Sequence, residues 1–283
     1  MKKFVKKLGA LALAAGLVFG ASFPTAQAAK EFEGQKVKVG VVGEADKELW
    51  QAVAEKAKKD EGIEIEITNF SDYNLPNAAV EDGSLDLNAF QHQIFLDSYL
   101  QEHKDQELVS IGNTVNAPLG VYSKKIKDIK DLKEGDTVAI PSDPTNGGRA
   151  LRLLQTAGLI KVDEAKGYKP TVSDIKENKL NLKIQELDAS QTARALDDVT
   201  ASIINSGVAV DAGYTPSKDA IYLEPVDKSS KPYVNIIVAR KKDAENATYK
   251  KIVEAYQTED TKKVIEEVSK GSLLPAWETF GTK

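Results

Sequence analysis

Residues 36–68 read KVKVGVVGEADKELWQAVAEKAKKDEGIEIEIT, and three patterns follow one another within them. Val37-Lys38-Val39-Gly40-Val41-Val42 is a short run rich in β-branched residues, which predicts a buried strand. From Lys47 to Lys59 the period changes: Leu49, Val53 and Ala57 recur every fourth position and share one face of an amphipathic helix. Ile63, Ile65 and Ile67 then alternate with Glu64, Glu66 and Thr68, the period-2 mark of a strand with one wet face. Strand, helix and strand in this order form a βαβ unit, which builds a parallel sheet through a right-handed crossover. The chain is therefore of the α/β class.

The alternation continues outward. The spacing predicts a helix over 77–82, a strand at Leu85–Ala89, a helix at Gln91–Glu102 and a strand at Leu108–Ile111. A second series starts at Thr137-Val138-Ala139-Ile140. It runs through a helix at Asn146–Ala157, a strand at Leu182–Leu187, a short helix at Thr192–Leu196 and a strand at Ala201–Ile204. Tyr233–Arg240 reads as a last strand, before charged helices at Ala247–Gln257 and Thr261–Val268. The Gly- and Pro-containing stretch Asn113–Ser123 separates the two series, which predicts two lobes rather than one large domain.

On the other side, Lys2, Lys3, Lys6 and Lys7 precede an apolar run from Leu8 to Phe19, and Ala26-Gln27-Ala28 supplies small residues for cleavage. Residues 1–28 thus read as a secretory signal peptide, since the run is shorter than the roughly 20 residues of a membrane-spanning helix. Without its four lysines the mature chain of 255 residues carries a charge near −9. An acidic surface argues against nucleic acid or anionic lipid as partner. With no cysteine in the chain, disulfides and thiolate chemistry are excluded. At 41% hydrophobic and 29% charged residues, the composition is that of a soluble globular protein.

Motifs for catalysis are missing. His92 and His103 are the only histidines, which makes a His/Cys zinc site improbable. No P-loop, dinucleotide fingerprint or Gly-x-Ser-x-Gly elbow occurs. The sequence does place polar and aromatic residues at the ends of predicted strands, where open α/β sheets bind ligands. Tyr73 follows a strand, and Phe90 and His92 stand where a strand meets the next helix. Arg149 lies in the first turns of a helix opened by Asp143-Pro144-Thr145-Asn146, a stretch suited to capping. A carboxylate there would gain from free backbone N–H groups and from a planar guanidinium able to bind both its oxygens. Asn205 ends an apolar strand and Asn235 interrupts another; their carbonyls can accept from an ammonium group. Each residue also has a plainer reading: Phe90 and Tyr73 as core aromatics, His92 as a packing residue, Arg149 in a surface ion pair, Asn235 holding buried backbone.

Four runs taken together resemble one family. Asp72-Tyr73-Asn74-Leu75-Pro76-Asn77, Asp86-Leu87-Asn88-Ala89-Phe90-Gln91-His92, Pro141-Ser142-Asp143-Pro144-Thr145-Asn146-Gly147-Gly148-Arg149 and Pro232-Tyr233-Val234-Asn235 are similar to the NlpA/MetQ family of methionine-binding proteins, over nearly the whole mature chain. The resemblance implies a two-lobed, type II periplasmic-binding-protein fold, each lobe a mainly parallel sheet flanked by helices, with the ligand in the cleft between. Lobe 1 would comprise residues 29–118 and 236–283, and lobe 2 residues 119–235. It implies a non-enzymatic, monomeric receptor without cofactor, which hands methionine to an ABC permease and its ATPase. Carried over by position, Arg149 would hold the ligand carboxylate and Asn205 and Asn235 the amino group. Tyr73, Phe90 and His92 would line the side-chain pocket, where a thioether sits well against aromatic edges. Two departures stand out. Ser22 occupies the place of the family's lipobox cysteine, so the sequence as written shows no lipid anchor. Ala117 replaces an aromatic residue of some relatives, which leaves room for a methionine-containing dipeptide or another amino acid. A surface adhesin is a further alternative.

Overall fold

Strand β1 (Lys36–Val42), helix α1 (Glu44–Glu61) and strand β2 (Glu64–Phe70) form the βαβ unit in the computed structural model, which describes residues 30–283. The export signal and Ser22 lie outside the described residues. β1 and β2 pair in parallel, with Val37 opposite Ile65 and Val39 opposite Ile67. α1 buries Leu49, Trp50, Val53 and Ala57. It stops at Gly62, whose left-handed backbone lets its N–H reach the carbonyls of Ala57 and Lys58.

The chain continues through α2 (Pro76–Glu81), β3 (Leu87–His92), α3 (Gln93–Glu102) and β4 (Leu108–Asn116). Next come β5 (Gly120–Tyr122), β6 (Thr137–Pro141), α4 (Pro144–Thr156), β7 (Ile160–Val162), β8 (Ile175–Asn178), β9 (Lys183–Leu187) and β10 (Ala201–Ile204). Short elements α5 (Ser206–Asp211), α6 (Pro216–Asp219) and β11 (Tyr222–Leu223) precede β12 (Val234–Arg240), α7 (Ala247–Tyr256), α8 (Glu259–Val268), β13 (Leu274–Pro275) and α9 (Ala276–Phe280).

Two sheets result, ordered β13-β4-β12-β3-β1-β2 and β11-β5-β10-β6-β9, with β7 and β8 as a separate antiparallel ribbon. In the first, β2, β1 and β3 run parallel, and β12 enters antiparallel between β3 and β4. The chain therefore leaves this sheet after β4, builds the second, and returns at β12 to its centre. Each sheet has its own core. Val39, Leu49, Trp50, Leu87, Ile237 and Tyr256 belong to one, and Val121, Val138, Ile140, Leu151, Leu154 and Ile203 to the other. Burial of each such side chain stabilises its own half by about 1.5–3 kcal/mol.

Several boundaries depart from the sequence reading. The strand expected to end at Ile111 runs on to Asn116, because distant β12 pairs with Gly112, Asn113 and Asn116. Polar side chains there look like a loop in sequence, yet Asn113 is buried and its amide donates to the Gly281 carbonyl at 2.8 Å. Asn113–Ser123 is therefore largely strand, β4 and β5 with a short link. The helix expected from Gln91 starts at Gln93, since Gln91 and His92 still belong to β3. In place of the helix at Thr192–Leu196 stand two 3-10 turns, Ala189–Gln191 and Arg194–Asp197.

Candidate binding site

A cavity of about 760 Å³ opens between the two sheets, and all six residues singled out in the sequence line it. Tyr73 follows β2, Phe90 and His92 end β3, and Asn235 lies opposite His92 in the β12–β3 register. Arg149 and Asn205 come from the facing side, on α4 and after β10.

Helix α4 sets the position of Arg149. Asp143 caps it, accepting from the backbone N–H of Thr145 (3.2 Å) and Asn146 (2.9 Å), and Pro144 takes the first turn. At Gly148 any Cβ would lie 2.6 Å from the Tyr168 carbonyl, so a glycine is needed for the loop to pack on the helix. The N–H groups of Thr145 and Asn146 are thus taken by Asp143 and Pro144 has none. This corrects the expectation that a ligand carboxylate would use the N–H groups of this helix start.

The guanidinium of Arg149 is buried, and Glu224, the residue after β11, holds one side of it. Nε donates to Oε1 at 2.8 Å and Nη2 to Oε2 at 2.5 Å, while Nη2 also donates to the Ala117 carbonyl at 3.0 Å. The Tyr233 ring covers the plane, its centroid 4.2 Å from the central carbon. Only Nη1 has no hydrogen bond within the described residues. The two-pronged grip envisaged from sequence is therefore spent on Glu224, and a ligand carboxylate is offered the two hydrogens of Nη1.

A neutral amide network lies beside it. His92 Nδ1 accepts from the Phe95 N–H at 3.1 Å, which leaves the proton on Nε2, 3.3 Å from Asn146 Oδ1. Burial and the nearby Arg149 charge push the His92 imidazole down to about 3, so it stays neutral. Asn205 Nδ2 donates to the same Asn146 oxygen at 3.0 Å, and Asn146 in turn donates to Asp143. With its amide nitrogen committed, Asn205 keeps a buried carbonyl oxygen that has no partner among the described residues. Such an acceptor costs about 1–3 kcal/mol unless a donor meets it. Asn235 is half-buried, and its side chain makes no hydrogen bond within the described residues.

The apolar part is a cluster of rings. Phe95 meets Phe90 edge-on at 5.7 Å, Tyr73 at 6.2 Å and His92 at 6.2 Å, while Tyr73 and Phe90 lie 5.8 Å apart. Phe95 also lines the cavity and was not found from sequence, although its place three residues after His92 on a helix puts it on the cavity side. Asn146 was legible in the same way, one helical turn before Ala150 and next to the capping Asp143. Glu224 left no sequence signal. Asp46 and Asp211 line the cavity too; burial and the Asp211 charge push the Asp46 carboxyl up to about 7.

Residues 37–277 match the sequence profile of the family described as NlpA lipoprotein. The D-methionine-binding lipoprotein MetQ of Escherichia coli strain K12 is 45% identical over 245 residues, covering 85% of this chain and 88% of that protein. A nutrient-binding protein from Burkholderia cenocepacia, solved bound to methionine, superposes with a TM-score of 0.82 at 46% identity, over 85% of this chain and 99% of that one. The substrate-binding protein of a methionine transporter from Streptococcus pneumoniae gives 0.80 at 42% identity, over 86% and 96%. With two separately cored α/β halves around one cleft and this extent of likeness, the chain belongs to the NlpA lipoprotein family and has its two-lobed binding-protein fold.

Proposed function

We propose that the chain is an exported solute-binding protein that captures methionine in this cleft and delivers it to an ABC permease driven by its ATPase. Residues 29–118 with 236–283 form one lobe and residues 119–235 the other, and the lobes close on the ligand by hinging near Asn113–Ser123 and Val234. Arg149 Nη1 holds the carboxylate, Asn205 and Asn235 accept from the amino group, and Tyr73, Phe90 and His92 surround the thioether. The signal-like residues 1–28 send the receptor out of the cytoplasm, where it works as a monomer, and Ser22 leaves it to be retained by contacts other than a lipid.

The unpartnered Asn205 oxygen carries this reading. Asn205 lines the same cavity as Arg149 and the ring cluster, so residues able to supply a donor, an acceptor and an apolar wall converge as an α-amino acid with a flexible side chain requires. The methionine ligands of the relatives support the choice of side chain. The cavity volume favours a second reading, a methionine-containing dipeptide. Native mass spectrometry of the purified chain, followed by calorimetric titration with L-methionine, D-methionine and glycyl-methionine, tests both. Submicromolar binding of either amino acid supports the proposal; heat from the dipeptide alone selects the second reading, and no heat from any of them refutes both.

A further inference from the structure

Helix α1 begins without a cap of its own. Its N-cap residue is Gly43, which has no side chain to offer, and the Glu44 carboxylate is turned to Lys47 and to the Asn69 amide. The cap comes from the other sheet. Asp211, the last residue of α5, accepts from the Glu44 N–H at 3.1 Å through Oδ2 and from the Ala45 N–H at 3.0 Å through Oδ1. Both oxygens of one carboxylate thus satisfy the first two N–H groups of an 18-residue helix to which it is not connected, and which carries the positive end of its dipole there. Gly43 is part of the arrangement: its φ is +93°, and a Cβ built on it would stand 2.3 Å from Asp211 Oδ2.

We infer that Asp211 is a closure residue, a helix cap supplied in trans that exists only when the two lobes meet over the ligand. The inference rests on the binding reading above. α5 starts directly after Asn205 and ends at Asp211, so one short helix carries a ligand acceptor at its first end and the interlobe cap at its second. When the lobes part, α1 exchanges the carboxylate for water, and Asp211, exposed even here, returns to solvent. The cap therefore adds to the closed form alone. It raises affinity without touching the ligand, chiefly by slowing release.

The test uses the full mature chain with Asp211→Ala, Asp211→Asn and Gly43→Ala. Loss of a cap translates into roughly 2- to 30-fold weaker methionine binding for Asp211→Ala, carried by a faster dissociation rate. The uncharged amide of Asp211→Asn still offers one capping oxygen, to one of the two N–H groups, and should recover part of the loss. Gly43→Ala, acting from the opposite lobe, should weaken binding and add little to Asp211→Ala in the double variant, since its backbone strain is present in open and closed forms alike. Amide exchange at Glu44 and Ala45 should be faster in Asp211→Ala than in the wild type with methionine bound, and alike in the two ligand-free proteins. An unchanged dissociation rate, equal exchange at those two amides in the methionine-bound proteins, or an Asp211→Asn variant as weak as Asp211→Ala would each overturn the inference. If the wild type itself gives no heat with methionine, the methionine reading fails; the same exchange comparison at residues 44 and 45 with glycyl-methionine bound then decides the cap.

Discussion

Replacing Glu224 should unbalance the site in a way that ligand partly repairs. The Arg149 side chain is 3% exposed and that of Glu224 16%. Glu224 accepts from Arg149 Nε and Nη2 and from the Leu119 N–H at 3.0 Å. Glu224→Ala removes all three bonds and leaves a buried guanidinium with the Tyr233 ring and the Ala117 carbonyl as its remaining partners. Breaking a buried pair from one side costs about 3–5 kcal/mol. At about 2–4 °C per kcal/mol for a chain of this size, the melting temperature should fall by roughly 6–20 °C. A ligand carboxylate then becomes the nearest compensating charge, so saturating methionine should raise the melting temperature of Glu224→Ala by more than it raises that of the wild type. Glu224→Gln, which keeps the shape and one acceptor, should fall between. Calorimetric melting of the three proteins, with and without methionine, provides the numbers. A stability loss below about 1 kcal/mol, or an identical gain from methionine in both proteins, would show that water already solvates Arg149, and the reasoning would fail.

Arg149→Ala should cost about 2–5 kcal/mol of binding, or roughly 30-fold to several thousandfold in affinity by titration calorimetry; near-unchanged affinity removes it from the site. Asp46 makes binding pH-dependent. Its carboxyl is pushed up to about 7 where the lobes meet, by burial and by Asp211, with Glu44 and Lys47 on its own helix and Tyr73 and Tyr256 as the other ionisable neighbours. The closed form holds the extra proton, so this contribution to closure is complete below the ordinary carboxylate range and is lost as pH rises through about 7. Affinity should therefore fall between pH 5 and pH 8 in the wild type and much less in Asp46→Asn; parallel profiles would sink the assignment. Met1 is the only methionine and cysteine is absent, so residues 29–283 contain no sulfur. Peroxide that converts free methionine to its sulfoxide should leave the mass of the mature chain unchanged, and an added oxygen would point to a residue other than sulfur.

Residues 36–68 were legible because local spacing alone distinguishes a strand from a helix, and the βαβ unit formed as read. Element ends that depend on remote partners were not. Gly112–Asn116 becomes strand only because β12 returns from more than a hundred residues away to pair with it. The six site residues were individually ordinary, and it was their motifs in order that brought them together; the structure places them around one cavity. What neither spacing nor motif revealed are the supports. Glu224 comes to Arg149 through a chain separation of 75 residues, and Asp211 to Glu44 through 167. Contacts over such distances are decided by how two sheets are set against each other, which no local window contains.

Those supports explain why the site suits a zwitterion. The charge of Arg149 is matched inside the protein by Glu224, and His92 is held neutral by burial and by the Arg149 charge. Around them the partners are amides: Asn146 is saturated, whereas the Asn205 oxygen has no partner among the described residues. The wall next to Arg149 thus has no net charge but a fixed direction, with donors at Nη1 and an acceptor at Asn205. A ligand carrying one charge would be stripped of water without full compensation, at a cost that grows with burial. An amino acid brings both charges and can meet both ends. His92 and Asn235 stand on one sheet and Arg149, Asn146 and Asn205 on the other, with the His92–Asn146 contact joining them. Arg149 and Asn205 thus stand on one side of the cleft and Tyr73, Phe90, His92 and Asn235 on the other, so a ligand that touches both sides favours the closed form.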